Sequence, residues 1–176
     1  MRLFIAINFE CGTRGRLVAL RDELSGRSAR GRFSLTDNLH LTLAFLGECS
    51  EGQASAAKAA MDAISFEAFD LTIEGIGRFK RDGGDIWWAG VKKSKGLMEL
   101  QGDLTDRLLA AGFTLDKRKY SPHITLGREV KTDETPWQIV HFGETVSSIE
   151  LMKSERIAGK LTYTAIYKSM GNSIDV

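Results

Sequence analysis

Two stretches decide the fold: Asn38-Leu39-His40-Leu41-Thr42-Leu43-Ala44-Phe45-Leu46-Gly47 and Pro122-His123-Ile124-Thr125-Leu126-Gly127-Arg128, which share the core His-x-Thr-Leu. Leu39 to Leu46 and Pro122 to Gly127 have the length, alternation and apolar content of strands. Strand side chains alternate faces, so His40 and Thr42 share one face while Leu41, Leu43 and Phe45 take the other. By the same rule His123 and Thr125 oppose Ile124 and Leu126. Each strand therefore presents an imidazole together with a hydroxyl. The chain has only 3 histidines, and threonine occupies 12 of its 176 positions. A repeat of the pair at one offset then has a chance of about one in a hundred. Buried histidines beside threonines that strands favour anyway would explain either copy alone. The doubling argues against that explanation.

Working outward, Leu3 to Phe9 reads as an N-terminal strand, and Leu17, Leu20 and Leu24 recur at helical spacing until Ser25-Gly26. Arg27 to Asn38 has no periodicity and reads as a flexible basic loop reaching the mouth of the site. Ser50 with Gln53 forms a capping-box pattern ahead of a weak stripe of Ala54, Ala57, Met61 and Ile64. Phe69 to Phe79, the turn Asp82-Gly83-Gly84 and Ile86 to Val91 make a hairpin that puts Trp87 and Trp88 on opposite faces. Leu97, Leu100, Leu104, Leu108 and Ala111 mark a helix stopped by Gly112. Two strands follow the second motif, about Thr145 to Lys153 and Leu161 to Lys168. The motif recurs at 123 − 40 = 83 residues, near half of the chain. That order is an α+β arrangement with an approximate internal repeat, and it permits two lobes related by a pseudo-twofold axis, each giving one motif strand to a central cleft.

A chain of 176 residues with 27% charged residues and a net charge of +1 fits one soluble domain with two closely packed lobes. Overall charge gives no argument for a polyanionic partner. Cys11 and Cys49 are too few for a disulfide framework, and the first apolar run is too short for a membrane span. No small-residue cleavage site precedes Glu10, so the expectation is a cytoplasmic protein. No three-ligand zinc pattern, Gly-rich phosphate loop or nucleophile elbow is present, and His141 has no matching threonine.

Two facing imidazoles suit proton transfer at a phosphodiester. With an ordinary pKa of about 6.5, one histidine can be neutral and take a proton from water while the other, protonated, gives one to the leaving oxygen. Thr42 and Thr125 can donate to non-bridging oxygens as charge builds. Arg128 can add a charge-assisted contact, although strict alternation puts it on the face opposite His123 and a strand end or a bulge would be needed there. Arg27, Arg30 and Arg32 before the first motif, and Lys117, Arg118 and Lys119 before the second, would make the cleft locally positive. Phe4, Phe33, Tyr120 and either tryptophan of the hairpin are the aromatics considered for stacking a base, and none is assigned to the site, since strand aromatics are more often core. The residues leave open which imidazole is acid.

The paired His-x-Thr, the flanks of both motifs and the opening Arg2-Leu3-Phe4-Ile5-Ala6-Ile7 resemble the 2H phosphoesterase superfamily, and within it the RNA 2',3'-cyclic phosphodiesterase branch, also called 2'-5' RNA ligase. The likeness runs from Arg2 to about Tyr167. It implies the bilobal α+β fold with antiparallel or mixed sheets flanked by helices, and no cofactor or metal. It also implies His40 as proton donor, His123 as proton acceptor, and Thr42 and Thr125 as phosphate ligands. The implied reaction opens the 2',3'-cyclic phosphate of an RNA end to a 2'-phosphomonoester, with 2'-5' ligation as its possible reverse. RNA ends or small nucleotides would be the substrates of a monomeric enzyme. A nucleotide- or RNA-binding module without turnover, and an enzyme for another small cyclic or 2'-5' linked nucleotide, are the alternatives.

Overall fold

The computed structural model describes residues 1–172. Its elements are β1 (Arg2–Asn8), α1 (Cys11–Gly26), β2 (Ser28–Phe33), β3 (His40–Glu48), α2 (Glu51–Asp62), β4 (Phe69–Phe79), β5 (Asp85–Val91), α3 (Lys95–Ala110), β6 (His123–Thr132), β7 (Trp137–Val146), β8 (Ser148–Ile157) and β9 (Lys160–Met170). They form two sheets, β3-β1-β8-β9 and β2-β6-β5-β4-β7, with every pairing between named strands antiparallel. One motif strand lies in each sheet.

The unbroken apolar run of β1 is explained by its place between β3 and β8, where both faces are covered. Leu3, Ile5 and Ile7 enter the large core shared by the two sheets and the helices, with Leu41, Ile124 and Leu126. Phe4 and Ala6 point the other way into a small separate cluster with Met152. That second face is the one His40 occupies. The capping box of α2 is formed as read: Gln53 N donates to Ser50 Oγ at 3.1 Å and Ser50 N to Gln53 Oε1 at 2.8 Å. Helix α3 is capped by Ser94 and buries Leu97, Leu100, Leu104 and Leu108. After it Gly112 takes a φ of +92°, a left-handed turn that glycine adopts without strain. No helix among the described residues is long and apolar enough to cross a membrane.

Three expectations are corrected. Arg27 to Asn38 is mostly not a loop: Ser28–Phe33 is an edge strand that pairs with β6. Trp137–Val146 forms β7, a strand the alternation does not single out, and the following strand starts at Ser148 rather than near Thr145. Phe45 does not join Leu41 and Leu43 on the buried face. It is 61% exposed.

The backbones of β4 and β7 approach closely at Gly143, where an added Cβ would lie 1.7 Å from the Leu71 carbonyl oxygen. Gly102, inside α3, has nothing within 4 Å of such an atom. Gly143→Ala is therefore expected to lower stability by about 3 kcal/mol, and Gly102→Ala to raise it by about 0.5–1 kcal/mol. Urea titration of both variants measures these opposite signs. Equal effects would refute the close approach.

Candidate active site

His40 opens β3, and the turn before it folds the Asn38 carbonyl back onto the ring, with Nδ1 to oxygen at 2.6 Å. His123 opens β6 in the same way, its Nδ1 lying 2.7 Å from the Ser121 carbonyl. A carbonyl only accepts, so Nδ1 carries the proton in both rings and Nε2 is the nitrogen available for chemistry. In the first motif Nε2 lies 2.8 Å from Thr42 Oγ1, which donates to it when the ring is neutral. Among the described residues, His123 Nε2 has no hydrogen-bond partner.

Both strands then break their alternation at the same place. Opposite β1, Ile5 and Ala6 face Ala44 and Thr42, so Leu43 is an extra residue. Opposite β5, Trp88 and Trp87 face Thr125 and Gly127, so Leu126 is the extra residue. Each is a β-bulge three positions after the histidine, and it puts two successive buried residues on the core side. The fifth position after each histidine thereby returns to the histidine's own face. That position is Phe45 in β3 and Arg128 in β6. The bulge that Arg128 needs is present.

The charge of Arg128 acts on both motifs. Burial pushes both imidazoles below the usual 6.5, against the opposing effect of their carbonyl hydrogen bonds, and the Arg128 guanidinium lowers both further. His123 adds to the effect on His40, so the two rings lie within electrostatic reach of each other. Burial raises the Tyr163 phenol, with Arg128 acting against it. Tyr163 stands edge-on to His40 with ring centres 5.3 Å apart. Tyr120 links the motifs covalently distant in sequence, donating from its buried hydroxyl to the Thr42 carbonyl at 2.7 Å, and burial pushes its pKa up so that it stays a donor.

Three of the other expected cations are engaged by carboxylates: Arg27 by Glu23 and Glu134, Arg32 by Glu129, and Arg118 by Asp116. Arg32 meets Glu129 across the edge pairing of β2 with β6. Among the aromatics considered, Phe4 and Trp88 flank the histidines with ring centres at 4.9 and 6.2 Å. Trp87 is fully buried on the opposite face, and Phe33 packs on the core. Phe79, 5.0 Å from His123, Tyr163 beside His40, and Phe45, 6.0 Å from Phe4, are the aromatics that sequence reasoning passed over. For Phe45 the signal was available, since it holds the same offset from His40 as Arg128 from His123. Among the described residues no three His, Cys, Asp or Glu side chains gather in a group that could hold a metal.

The family model of the 2'-5' RNA ligase superfamily matches residues 10–156. A protein of Archaeoglobus fulgidus named RNA 2',3'-cyclic phosphodiesterase is 33% identical over 129 residues, 73% of this chain and 72% of its own length. The Escherichia coli protein of the same name is 31% identical over 167 residues, 94% of this chain and 93% of its own. The crystal structure of E. coli LigT complexed with 3'-AMP superposes with a TM-score of 0.86 at 29% identity, covering 98% of both chains.

Two outcomes follow from the charge arrangement. In an NMR titration both motif histidines are expected to titrate below 6.5 in the Nδ1-protonated tautomer, and Arg128→Ala to raise both values. Unmoved titrations would remove Arg128 from the site. A depressed folded-state pKa also means that, as pH falls through 6.5, the unfolded chain takes up protons that the folded protein resists. The urea midpoint is therefore expected to drop on acidification from pH 7.5 to 5, and less steeply in His40→Gln.

Proposed function

The chain belongs to the 2'-5' RNA ligase superfamily of 2H phosphoesterases, and on that premise we propose that it is an RNA 2',3'-cyclic phosphodiesterase working by histidine acid–base catalysis without a metal. The observation that carries the reading is the repeated imidazole: two histidines, each with Nδ1 tied to a carbonyl two residues back, so that Nε2 is left for proton transfer. Binding alone would need neither ring held in one tautomer.

In the proposed reaction His123 Nε2 takes a proton from water as its oxygen bonds to phosphorus. The bond from phosphorus to the 3'-oxygen breaks, and protonated His40 gives its Nε2 proton to that oxygen. The product is a 2'-phosphomonoester beside a free 3'-hydroxyl. Thr42 and Thr125 donate to the non-bridging oxygens, and Arg128 meets their charge as it grows. An RNA 5'-hydroxyl in place of water would give a 2'-5' linkage through the same steps. RNA ends and small nucleotides are the proposed substrates, the cytoplasm the compartment, and one two-lobed chain the working unit.

RNA ending in a 2',3'-cyclic phosphate, incubated with the protein in EDTA, is expected to yield a 2'-phosphate. His40→Ala and His123→Ala should each lose at least about 100-fold in rate. The wild-type rate should trace a bell against pH, since one ring must be neutral and the other protonated. No product in EDTA, or a rate rising steadily to pH 10, would turn the reading toward a binding module or a different phosphodiester.

A further inference from the structure

Beyond Arg128 the second motif strand is irregular again. Arg30 and Arg32 of β2 stand opposite Lys131 and Arg128 of β6, so three steps along β6 match two along β2, and Glu129 takes a left-handed φ of +53° in the extra length. Gly31 and Val130 turn toward the core, where a Cβ on Gly31 would lie 3.1 Å from Val130 Cγ2. The exposed residues around them, Arg30 and Arg32 on one strand and Arg128 and Lys131 on the other, take the outward face. That is the face of His123 and Thr125.

Residues paired across neighbouring strands project side by side, and like charges directly opposite each other destabilise a sheet. Here two successive pairs, Arg32 with Arg128 and Arg30 with Lys131, set cation against cation. One carboxylate answers all four. Glu129 accepts from Arg32 Nε at 2.8 Å, but with side chains 61% and 64% exposed the ion pair is weak and open to exchange. Arg30, Arg128 and Lys131 have no ion-pair partner among the described residues. A hollow of about 400 Å³ lies over the same ground, lined by Arg30, Gly31, Arg32, Gly83 and Glu129. The turn between β4 and β5 walls it, packed so closely that a Cβ on Gly84 would lie 2.5 Å from the Glu129 carbonyl carbon. Packing of the sheet does not require this crowding of charge, and an anion lying over it relieves it.

We propose that the stripe holds the RNA strand behind its cyclic end, with Arg32, Lys131 and Arg30 meeting phosphates on the 5' side of the one that reacts. The proposal rests on the cyclic-phosphodiesterase reading for the phosphate placed between the histidines, and it narrows the substrate to a strand of several nucleotides rather than a free nucleotide. Arg128 favours a polynucleotide over an acidic protein segment. It belongs both to the stripe and to the site of the reacting phosphate, and a chain of linked phosphates continues from one to the other. From Arg128 to Lys131 the strand runs about 10 Å, more than one phosphoryl group covers. Contacts of this kind read the backbone and leave the bases free, so the strand is held without sequence preference.

The test separates the strand from its last nucleotide. Adenosine 2'-monophosphate and an oligoribonucleotide of about six nucleotides ending in a 2'-phosphate are titrated into the wild type, into the double variant Arg30→Ala with Lys131→Ala, and into Arg30→Lys with Lys131→Arg. The wild type is expected to bind the oligonucleotide at least about ten-fold more tightly than the mononucleotide, and the double alanine variant to lose most of that advantage. Its mononucleotide affinity should stay within about two-fold of wild type, which also reports an intact site, and the charge-preserving variant should keep the advantage. For the oligonucleotide, the slope of log affinity against log salt should be shallower by about 0.7 for each cation removed. Equal wild-type affinity for the two ligands, or an oligonucleotide affinity unmoved in the double alanine variant, overturns the stripe. A glutamate-rich peptide of the same charge that displaces the oligonucleotide as well as unlabelled RNA does would assign the stripe to a protein partner instead. Ring opening is measured in parallel on a cyclic-ended oligonucleotide and on adenosine 2',3'-cyclic monophosphate. A wild type that binds the strand through Arg30 and Lys131 but opens neither ring would sink the proposed reaction and leave the stripe standing.

Discussion

The extra residue three positions after each motif histidine is the constraint on which the site depends. Without the bulges at Leu43 and Leu126, the alternation of β3 and β6 would turn Phe45 and Arg128 toward the core. For Arg128 that would mean an unpaired guanidinium in an apolar interior, costing several kcal/mol. With the bulges, the doubled core-side positions are taken by small residues, Ala44 and Gly127, which leave room for the neighbouring strand. A Cβ at Gly127 would meet Phe33 Cδ1 at 2.9 Å and Val130 Cγ2 at 3.0 Å. Packing and chemistry are thus set by the same irregularity, and it appears in both halves at the same offset.

The fold class, the order of most elements and the strand placement of the four motif residues were legible because they rest on short-range rules. Alternation marks β3 and β6, the Ser50 and Gln53 pair marks α2, and the leucine stripe marks α3. What escaped depends on partners distant in the chain. Strand β2, Ser-Ala-Arg-Gly-Arg-Phe, carries little apolar pattern because it is an edge strand whose pairing with β6 supplies its order. Strand β7 is likewise an edge: its inward residues Trp137, Ile139 and Phe142 are only half-buried against the core and change phase at Val140–His141, where the register with β4 shifts, so no unbroken alternation reveals it. A bulge leaves no mark on composition at all. The face of Phe45 was therefore misread, while the repeat offset shared with Arg128 held the information needed to correct it.

Burial of the two imidazoles opposes the charged form that one of them must adopt. The carbonyl bonds at Asn38 and Ser121 counter this in part, since a protonated ring donates to a carbonyl more strongly than a neutral one. Burial outweighs these bonds, and Arg128 adds to the preference for neutral rings. The arrangement looks self-defeating for an acid catalyst only while no anion is present. A phosphodiester between the rings carries one negative charge, which attracts a proton to the nearer imidazole and at the same time engages the guanidinium that had opposed it. In the proposed reaction, substrate binding would then create the acid and leave the far imidazole neutral to act as base. A cleft that held a permanently protonated histidine would need a fixed carboxylate beside it, and neither motif histidine has a carboxylate among its hydrogen-bond partners in the described residues.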